Sequence, residues 1–462
     1  SDLNLLECSS RYSVVRRVSY PIDPMRRFHR DFPQCLTPPR DSALGRVASL
    51  LEWAYGYRME RTPDRPWPTR RSPSAGALYP TECFNVSRAG GEAAIYYYDY
   101  REHGYYRLER PDVDSLADWL GVDGRSSAVV LSSVLWRSAQ RYGARCYLYC
   151  LLDAGNVAGN LAAAARHYGV AVESTARSLT SSHERQLGLR EGEGVMASFL
   201  IGDAGHGAVP MPDLPSEVPI SHGRVLQPPM LSPVLTRIRR FHARTLSSRG
   251  TPLPVLGGHT TPDFAAVAER RHSASAFTSA PLDGELAAKM AFCCAGSFGV
   301  LEDGGIAGMR AWIVSVQGDL PPGSSAIRRD GSLGEPTRRF GSPDEAAARL
   351  AEACQDQAIV RGSAFAVVVG LDLQELASGG YERFRSAALG AGSVCSDLYR
   401  ESARRGIGTT LVGGFSPKLI QRIVATTESL PLAVQLFGEE RPAPRKVDAA
   451  IVGSDQPKED QA

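Results

Sequence analysis

Two stretches of this chain, about 237 positions apart, carry the same spacing of glycine and leucine. The first, YGARCYLYCLLDAGNVAGNLAAAARHYG (Tyr142–Gly169), places Gly155, Leu161 and Gly169 where the second, YERFRSAALGAGSVCSDLYRESARRG (Tyr381–Gly406), places Gly392, Leu398 and Gly406. Downstream, MASFLIG ends at Gly202 and AVQLFG at Gly438, an offset of 236. Upstream, LEWAYG (Leu51–Gly56) matches AFCCAG (Ala291–Gly296) at an offset of 240. A nearly constant offset over such a span reads as an internal duplication. A duplicated unit that cannot complete its own core packs against its copy as an intrachain pseudo-dimer.

Each unit reads as α+β. Val157, Leu161, Ala164 and Tyr168 recur at helical spacing, which predicts a core helix over Asp153–His167 ended by a glycine. Short apolar or β-branched runs at Ser198–Ile201, Ala311–Val316, Phe365–Val369 and Leu432–Phe437 predict strands. Residues 210–262 hold ten of the 31 prolines, a density that predicts an extended connector. The resulting division is an N-terminal arm (1–36), unit 1 (37–205), the connector (206–262), unit 2 (263–452) and a polar tail (453–462).

Composition narrows the function classes. The chain of 462 residues, 43% hydrophobic and 22% charged, has the profile of a globular protein with two or three cores. Its net charge of +2 gives no electrostatic footprint for nucleic acid or anionic membrane. No apolar run approaches the roughly 18–20 residues that span a bilayer. Ser1–Ser10 lacks the charged and apolar regions of a signal peptide, so the expected compartment is the cytoplasm. Nine dispersed cysteines fit a reducing compartment, and adjacent Cys293 and Cys294 read as small buried hydrophobes. No cysteine or histidine group has metal-ligand spacing.

Three segments could carry chemistry. RRSPSAGALYP (Arg70–Pro80) combines two arginines with small residues, which let backbone N–H groups approach an anion or the polar edge of a ring. RRHSASAF (Arg270–Phe277) sets two guanidiniums beside Ser273, ahead of a helical segment at 283–292, an arrangement suited to phosphate. GIGTTLVGGF (Gly406–Phe415), with Lys418 following, could bind an anion as well. On residue chemistry alone, a proline-containing turn accounts for the first equally well, and a solvated basic turn and a tight helix-to-strand connection account for the second and third better.

Together these motifs resemble the nitroreductase-like flavoproteins, and within them the SagB-type dehydrogenases that oxidise azolines in ribosomal peptide natural products. SPSAGALYP (Ser72–Pro80) and RYGARCYLYCLLDAGNVAGNL (Arg141–Leu161) are similar to that subgroup's signatures. RRHSASAF is similar to the family's Arg-x-Ser-x-Arg-x-Phe phosphate motif, and GIGTTLVGGF to its late Gly-Gly-Phe motif. The resemblance implies FMN at the interface of two units. Ser72, Pro73, Ser74, Ala75 and Gly76 would lie at the flavin. Arg271 and Ser273 would hold its phosphate, Gly413 and Gly414 would approach the ring, and Lys418 would assist. The motif's second arginine is Ser275 here, with Arg270 a candidate to compensate.

Unit 1 keeps the Ser-Ala-Gly loop but has YGVAVESTARS where the late motif belongs. Unit 2 keeps Arg271, Ser273 and Gly413-Gly414-Phe415 but has only GGIAGMRAW in place of the loop. This complementary loss implies one FMN per chain, at the interface of the two units.

By the same resemblance the activity is oxidation of thiazoline or oxazoline rings in a precursor peptide, beside a cyclodehydratase, with dioxygen as final acceptor. Tyr142 matches the subgroup's proton-handling tyrosine. Arg141 stands at the lysine position, where it is a poor base but could stabilise a tyrosinate or orient substrate. An NAD(P)H-dependent nitro or quinone reductase and a non-catalytic partner in a peptide-modifying complex remain alternatives. Arg16, Arg17, Arg26 and Arg27 are candidates for leader-peptide contact, and the pseudo-dimers could pair again into a homodimer.

Overall fold

The structure is a computed structural model, which describes residues 34–61, 66–89, 91–100, 102–202, 209–212, 214, 232–246 and 263–441. Arg16, Arg17, Arg26 and Arg27, the tail 453–462 and most of the connector lie outside the described residues.

The first half runs α1 (Ala43–Tyr55), β1 (Tyr57–Arg61), β2 (Pro66–Arg70), β3 (Thr81–Ala89), β4 (Glu92–Asp99), β5 (Gly104–Leu108) and α2 (Val113–Leu120). It continues through β6 (Ser127–Val134), α3 (Leu135–Tyr142), α4 (Cys146–His167), β7 (Val172–Ser174), α5 (Ser181–Gln186) and β8 (Glu193–Ile201). Helix α6 (Ser232–Thr245) follows. The second half runs α7 (Phe264–Arg270), α8 (Gly284–Asp303), β9 (Met309–Ser315), β10 (Gly323–Ile327), β11 (Leu333–Arg339), α9 (Pro343–Ala353) and α10 (Ala358–Arg361). It closes with β12 (Phe365–Asp372), α11 (Leu373–Arg405), β13 (Gly408–Leu411), α12 (Pro417–Ile423) and β14 (Ser429–Gly438).

The duplication is visible in the sheets. One has the order β5-β4-β3-β6-β8-β7 and the other β11-β10-β9-β12-β14-β13, with every neighbouring pair antiparallel. The repeated glycines mark where the copies meet. A Cβ placed on Gly155 of α4 would lie 2.1 Å from the Leu389 carbonyl oxygen, and one on Gly392 of α11 would lie 2.2 Å from that of Leu152. Each contact is the other shifted by the repeat offset, the signature of an isologous interface. Helix α4 is buried from Cys146 to Ala165, as expected of a helix apolar on every side. It therefore starts seven residues before the segment the periodicity predicts.

The linkers between helix and sheet differ between the halves. Residues 56–80 join α1 to β3 and include the β1–β2 hairpin and the Ser-Ala-Gly loop, whereas residues 304–308 alone join α8 to β9.

Two expectations are corrected. Residues 232–245 of the connector form α6 and are packed rather than extended. The segment lacks proline between Pro233 and Pro252, and Ile238, Phe241 and Thr245 recur on one buried face. Tyr147 Oη meets His242 Nδ1 at 2.8 Å and Thr245 Oγ1 at 2.7 Å, and His242 Nε2 meets Glu184 at 2.7 Å. Helix α8 is long and apolar enough to cross a membrane by length and composition. Here it packs as a core helix, burying Met290, Ala291, Cys293 and Cys294. Burial pushes both thiols well above their ordinary range.

Candidate functional site

A cavity of about 460 Å³ lies between the two halves, within the roughly 300–1,000 Å³ of cofactor and small-molecule sites. The first half contributes Pro73, Ser74, Ala75, Gly76, Arg141 and Tyr142, and the second contributes Arg271, Ser273, Gly413 and Gly414. Segments separated by most of the chain thus share one space because α4 and α11 cross at their glycines.

The loop is held from below by Asp153, which the sequence reading did not place in the site. Ser74 Oγ donates to Asp153 Oδ2 at 2.6 Å, and the Ala75 N–H donates to Oδ1 at 3.1 Å. Ser74 Oγ also accepts from the Tyr79 N–H at 2.9 Å. These bonds support a backbone with Gly76, Ala77 and Tyr79 at φ 64°, 55° and 43°, a left-handed region costly for residues bearing a Cβ. Burial pushes the Asp153 carboxyl up to about 7, opposed by its bonds to Ser74 and Ala75.

Asn160, two turns along α4, connects the loop to the other half. Its Nδ2 donates to Ser72 Oγ at 3.0 Å, while its Oδ1 accepts from Ser396 Oγ at 2.7 Å and Arg400 Nη1 at 2.6 Å. Asp153 and Asn160 could have been found, with Asn156, as polar residues of a largely apolar helix, the seven-residue spacing keeping them on one face.

Tyr142 and Arg141 line the cavity from the first half. A Cβ on Gly76 would lie 2.6 Å from Tyr142 Oη and 3.1 Å from Arg141 Nη1, and one on Gly413 would lie 3.2 Å from Tyr142 Oη. The phenol thus sits between a glycine of each half: a side chain at Gly76 would meet it on a left-handed backbone, and one at Gly413 would crowd it. The Tyr142 ring meets Tyr149 edge-on at 4.6 Å. Tyr149 Oη in turn accepts from Arg145 Nε at 2.6 Å, and the Arg145 guanidinium lies over the Phe415 ring at 4.4 Å.

Arg271 and Ser273 occupy another part of the lining. Arg271 is buried, and its Nη2 donates to the Arg70 carbonyl at 2.9 Å. Its Nε and Nη1 are buried without a hydrogen-bond partner. Burial lowers the guanidinium's basicity, and an unsatisfied buried donor costs about 1–3 kcal/mol or more when charged. Ser273 Oγ lies 3.0 Å from Tyr399 Oη, which accepts the Leu411 N–H at 2.9 Å. Tyr399 is another lining residue that the sequence reading missed.

Three anticipated residues do not line the cavity. Ser72 is buried behind the loop and donates to the Ala54 carbonyl at 2.6 Å. Arg270 is exposed at the end of α7, and Lys418 is exposed on α12.

Across 94% of this chain and 95% of its own, a protein of Anabaena variabilis described as a candidate nitroreductase superposes with a TM-score of 0.68 at 19% identity. The fold is that of the nitroreductases. Partial likenesses reach the E. coli microcin synthetase McbBCD complex with truncated pro-MccB17 bound, at TM-score 0.32 and 15% identity over 37% of this chain and 70% of that one. Another is a candidate nitroreductase of Exiguobacterium sibiricum in complex with FMN, at TM-score 0.26 and 14% identity over 41% of this chain and 95% of that one. Likeness at those two scores carries no weight by itself. No protein-family model and no curated protein matches the chain.

The nitroreductase fold occurs here twice, and in the second half the short segment 304–308 stands where the first has the Ser-Ala-Gly loop. There a Cβ on Gly308 would lie 2.3 Å from Glu375 Cγ. Arg383 Nη1 donates to the Gly305 carbonyl at 2.8 Å.

Proposed function

We propose that this chain is an FMN-dependent oxidoreductase with one flavin per chain in the cavity between its halves, and that it oxidises azoline rings of a peptide to azoles. The observation that carries the reading is Arg271. A buried guanidinium with two unpartnered N–H groups, beside Ser273 and facing a glycine-backed loop from the other half, suits a phosphate whose attached ring lies along that loop. The glycine positions suit a flat ring closely approached by backbone, because a side chain at Gly76 would meet the Tyr142 hydroxyl and one at Gly413 would crowd it.

In this reading Arg271 and Ser273 hold the phosphate, and Ser74, Ala75 and Gly76 face the flavin from one half. Gly413 and Gly414 face it from the other. When bound, the flavin supplies the two-electron acceptor, with dioxygen as the final oxidant. The protein's part is to orient the azoline and take the proton that leaves its ring carbon. Tyr142 is the residue we assign to that proton. Arg141, converging on the same spot, favours the phenolate form by its charge and cannot itself act as base.

The azoline assignment rests on the Ser72–Pro80 and Arg141–Leu161 motifs. It carries with it a precursor peptide as substrate and a cyclodehydratase as partner. The unit boundaries we assign are 37–205 and 263–452, and the compartment is the cytoplasm.

The test is the visible spectrum and flavin stoichiometry of the purified protein, followed by azoline oxidation assays. The reading expects one FMN per chain, loss of FMN in Arg271→Ala, and loss of azole formation with retention of FMN in Tyr142→Phe. Two FMN per chain would overturn the single composite site. Colourless protein after FMN is supplied would overturn the oxidoreductase reading. Rapid bleaching by NAD(P)H with turnover of a nitroaromatic, and no azole, would reassign the substrate.

A further inference from the structure

Four arginines and one exposed neighbour surround the segment Glu269–Arg271, and the structure sorts them. Arg71 is directed at Glu269, with Nη1 to Oε1 at 2.7 Å, and its guanidinium lies over the Trp53 ring. Arg70 is set among aromatic rings, its guanidinium carbon 4.6, 4.5 and 3.2 Å from the ring centres of Tyr55, Tyr57 and Tyr100. Arg270 is exposed and outside the lining. Arg271 lines the cavity, and so do Arg58 of β1 and Arg70, whose guanidinium is engaged with those rings.

Arg58 is buried and fixed in place. Its Nη1 donates to the Glu269 carbonyl and its Nε to Thr69 Oγ1 at 3.3 Å, with Thr69 opposite it in the β1–β2 hairpin. Thr69 also lines the cavity. Arg271 Nη2 is anchored on the carbonyl of Arg70, the next residue along β2, so both guanidiniums are held by the same strand end.

We infer that Arg58, supplied by a hairpin that the second half lacks, is the second phosphate-binding residue of the cavity. The inference rests on the flavin reading above. A phosphate monoester carries about −1.5 to −2 near neutral pH, and a buried dianion beside one guanidinium remains half compensated. Around Arg271 the second half offers little more, since Ser275 is neutral, Arg270 faces outward and His272 Nε2 is engaged by Glu440 at 2.5 Å. The first half provides a cation at Arg58. The linker of residues 304–308 in the second half has no counterpart of this hairpin, so the cation is available to one composite site alone.

The test compares FMN with riboflavin, which lacks the phosphate, by fluorescence titration of wild type, Arg58→Gln, Arg58→Lys and Arg270→Gln. Arg58→Gln is expected to weaken FMN binding about 10- to 100-fold, the scale of one charge-assisted hydrogen bond, and to leave riboflavin binding unchanged. Arg58→Lys should recover part of the loss, and if the Gln variant does not fold, its smaller loss confined to FMN carries the test. Arg270→Gln should match wild type. Equal weakening of both ligands would mean that Arg58 acts through the hairpin's structure, and weakening of neither would mean that it does not reach the phosphate. Either result overturns this inference while leaving the flavin reading intact. Wild type that binds no FMN overturns both.

Discussion

Gly155→Ala is expected to destabilise the protein, the reverse of the usual result for a glycine inside a helix. Helix propensity alone would make the alanine variant more stable by about 1 kcal/mol. Geometry opposes this, because the added methyl would sit 2.1 Å from the Leu389 carbonyl oxygen and 3.0 Å from Gly392 Cα. Both obstacles are backbone of α11, so no side-chain rotation relieves them, and α4 and α11 must separate by about 1 Å or more to restore contact distance. Overpacking of this kind costs about 1–3 kcal/mol. The displacement also loosens packing along two buried helices, so the expected net loss is about 1–2 kcal/mol. Gly392→Ala meets the mirrored obstacle, the Leu152 carbonyl at 2.2 Å, and should lose a similar amount. The double variant should lose less than the sum, because one separation relieves both clashes. Gly299→Ala on α8 is the control: nothing lies within 4 Å of its added methyl, so propensity should prevail. Thermal and denaturant unfolding of the four variants measure this directly. If Gly155→Ala were stabilised to the same degree as Gly299→Ala, the close approach of the two helices would be wrong.

Three further outcomes follow from the same site and interface. Asp153 ionises near 3.8 when unfolded but at about 7 when folded. Its contribution is therefore fully present below pH 4 and is lost as pH rises towards 7, by on the order of 4 kcal/mol; Asp153→Asn should flatten that part of the stability-versus-pH curve, and parallel curves would refute it. Arg385 donates to the carbonyls of Val195 at 3.0 Å and Met196 at 2.8 Å across the two halves. Arg385→Leu strands both acceptors and should cost about 3 kcal/mol or more, read as a lowered unfolding midpoint. Tyr399→Phe leaves the Leu411 N–H without its acceptor, so a loss of about 1–3 kcal/mol is expected, together with weaker FMN binding.

The duplication, the α+β class and the strands β8, β9, β12 and β14 were legible in the sequence, because repeat spacing and apolar periodicity are local properties of the chain. Ser198–Ile201 and Phe365–Val369 fall within β8 and β12, whose centres are buried on both faces and so read as plain apolar runs. Local pattern failed where tertiary partners decide. The β1–β2 hairpin has no alternation to betray it, and Pro66 and Pro68 argue against a strand. Helix α6 was masked by the prolines around it.

At the site, sequence located the segments and the fold chose among their residues. Arg270 and Arg271 are adjacent and chemically identical, yet one is exposed and the other buried with two unpartnered donors, because the chain leaves its helix between them. Asp153, Asn160, Tyr399 and Arg58 gain their meaning from groups 78 to 240 positions away in the chain, which no local motif records. Spacing of glycines and apolar residues determined that two similar units would form and adhere. Only their packing, backbone against backbone at Gly155 and Gly392, decided which side chains would share a cavity.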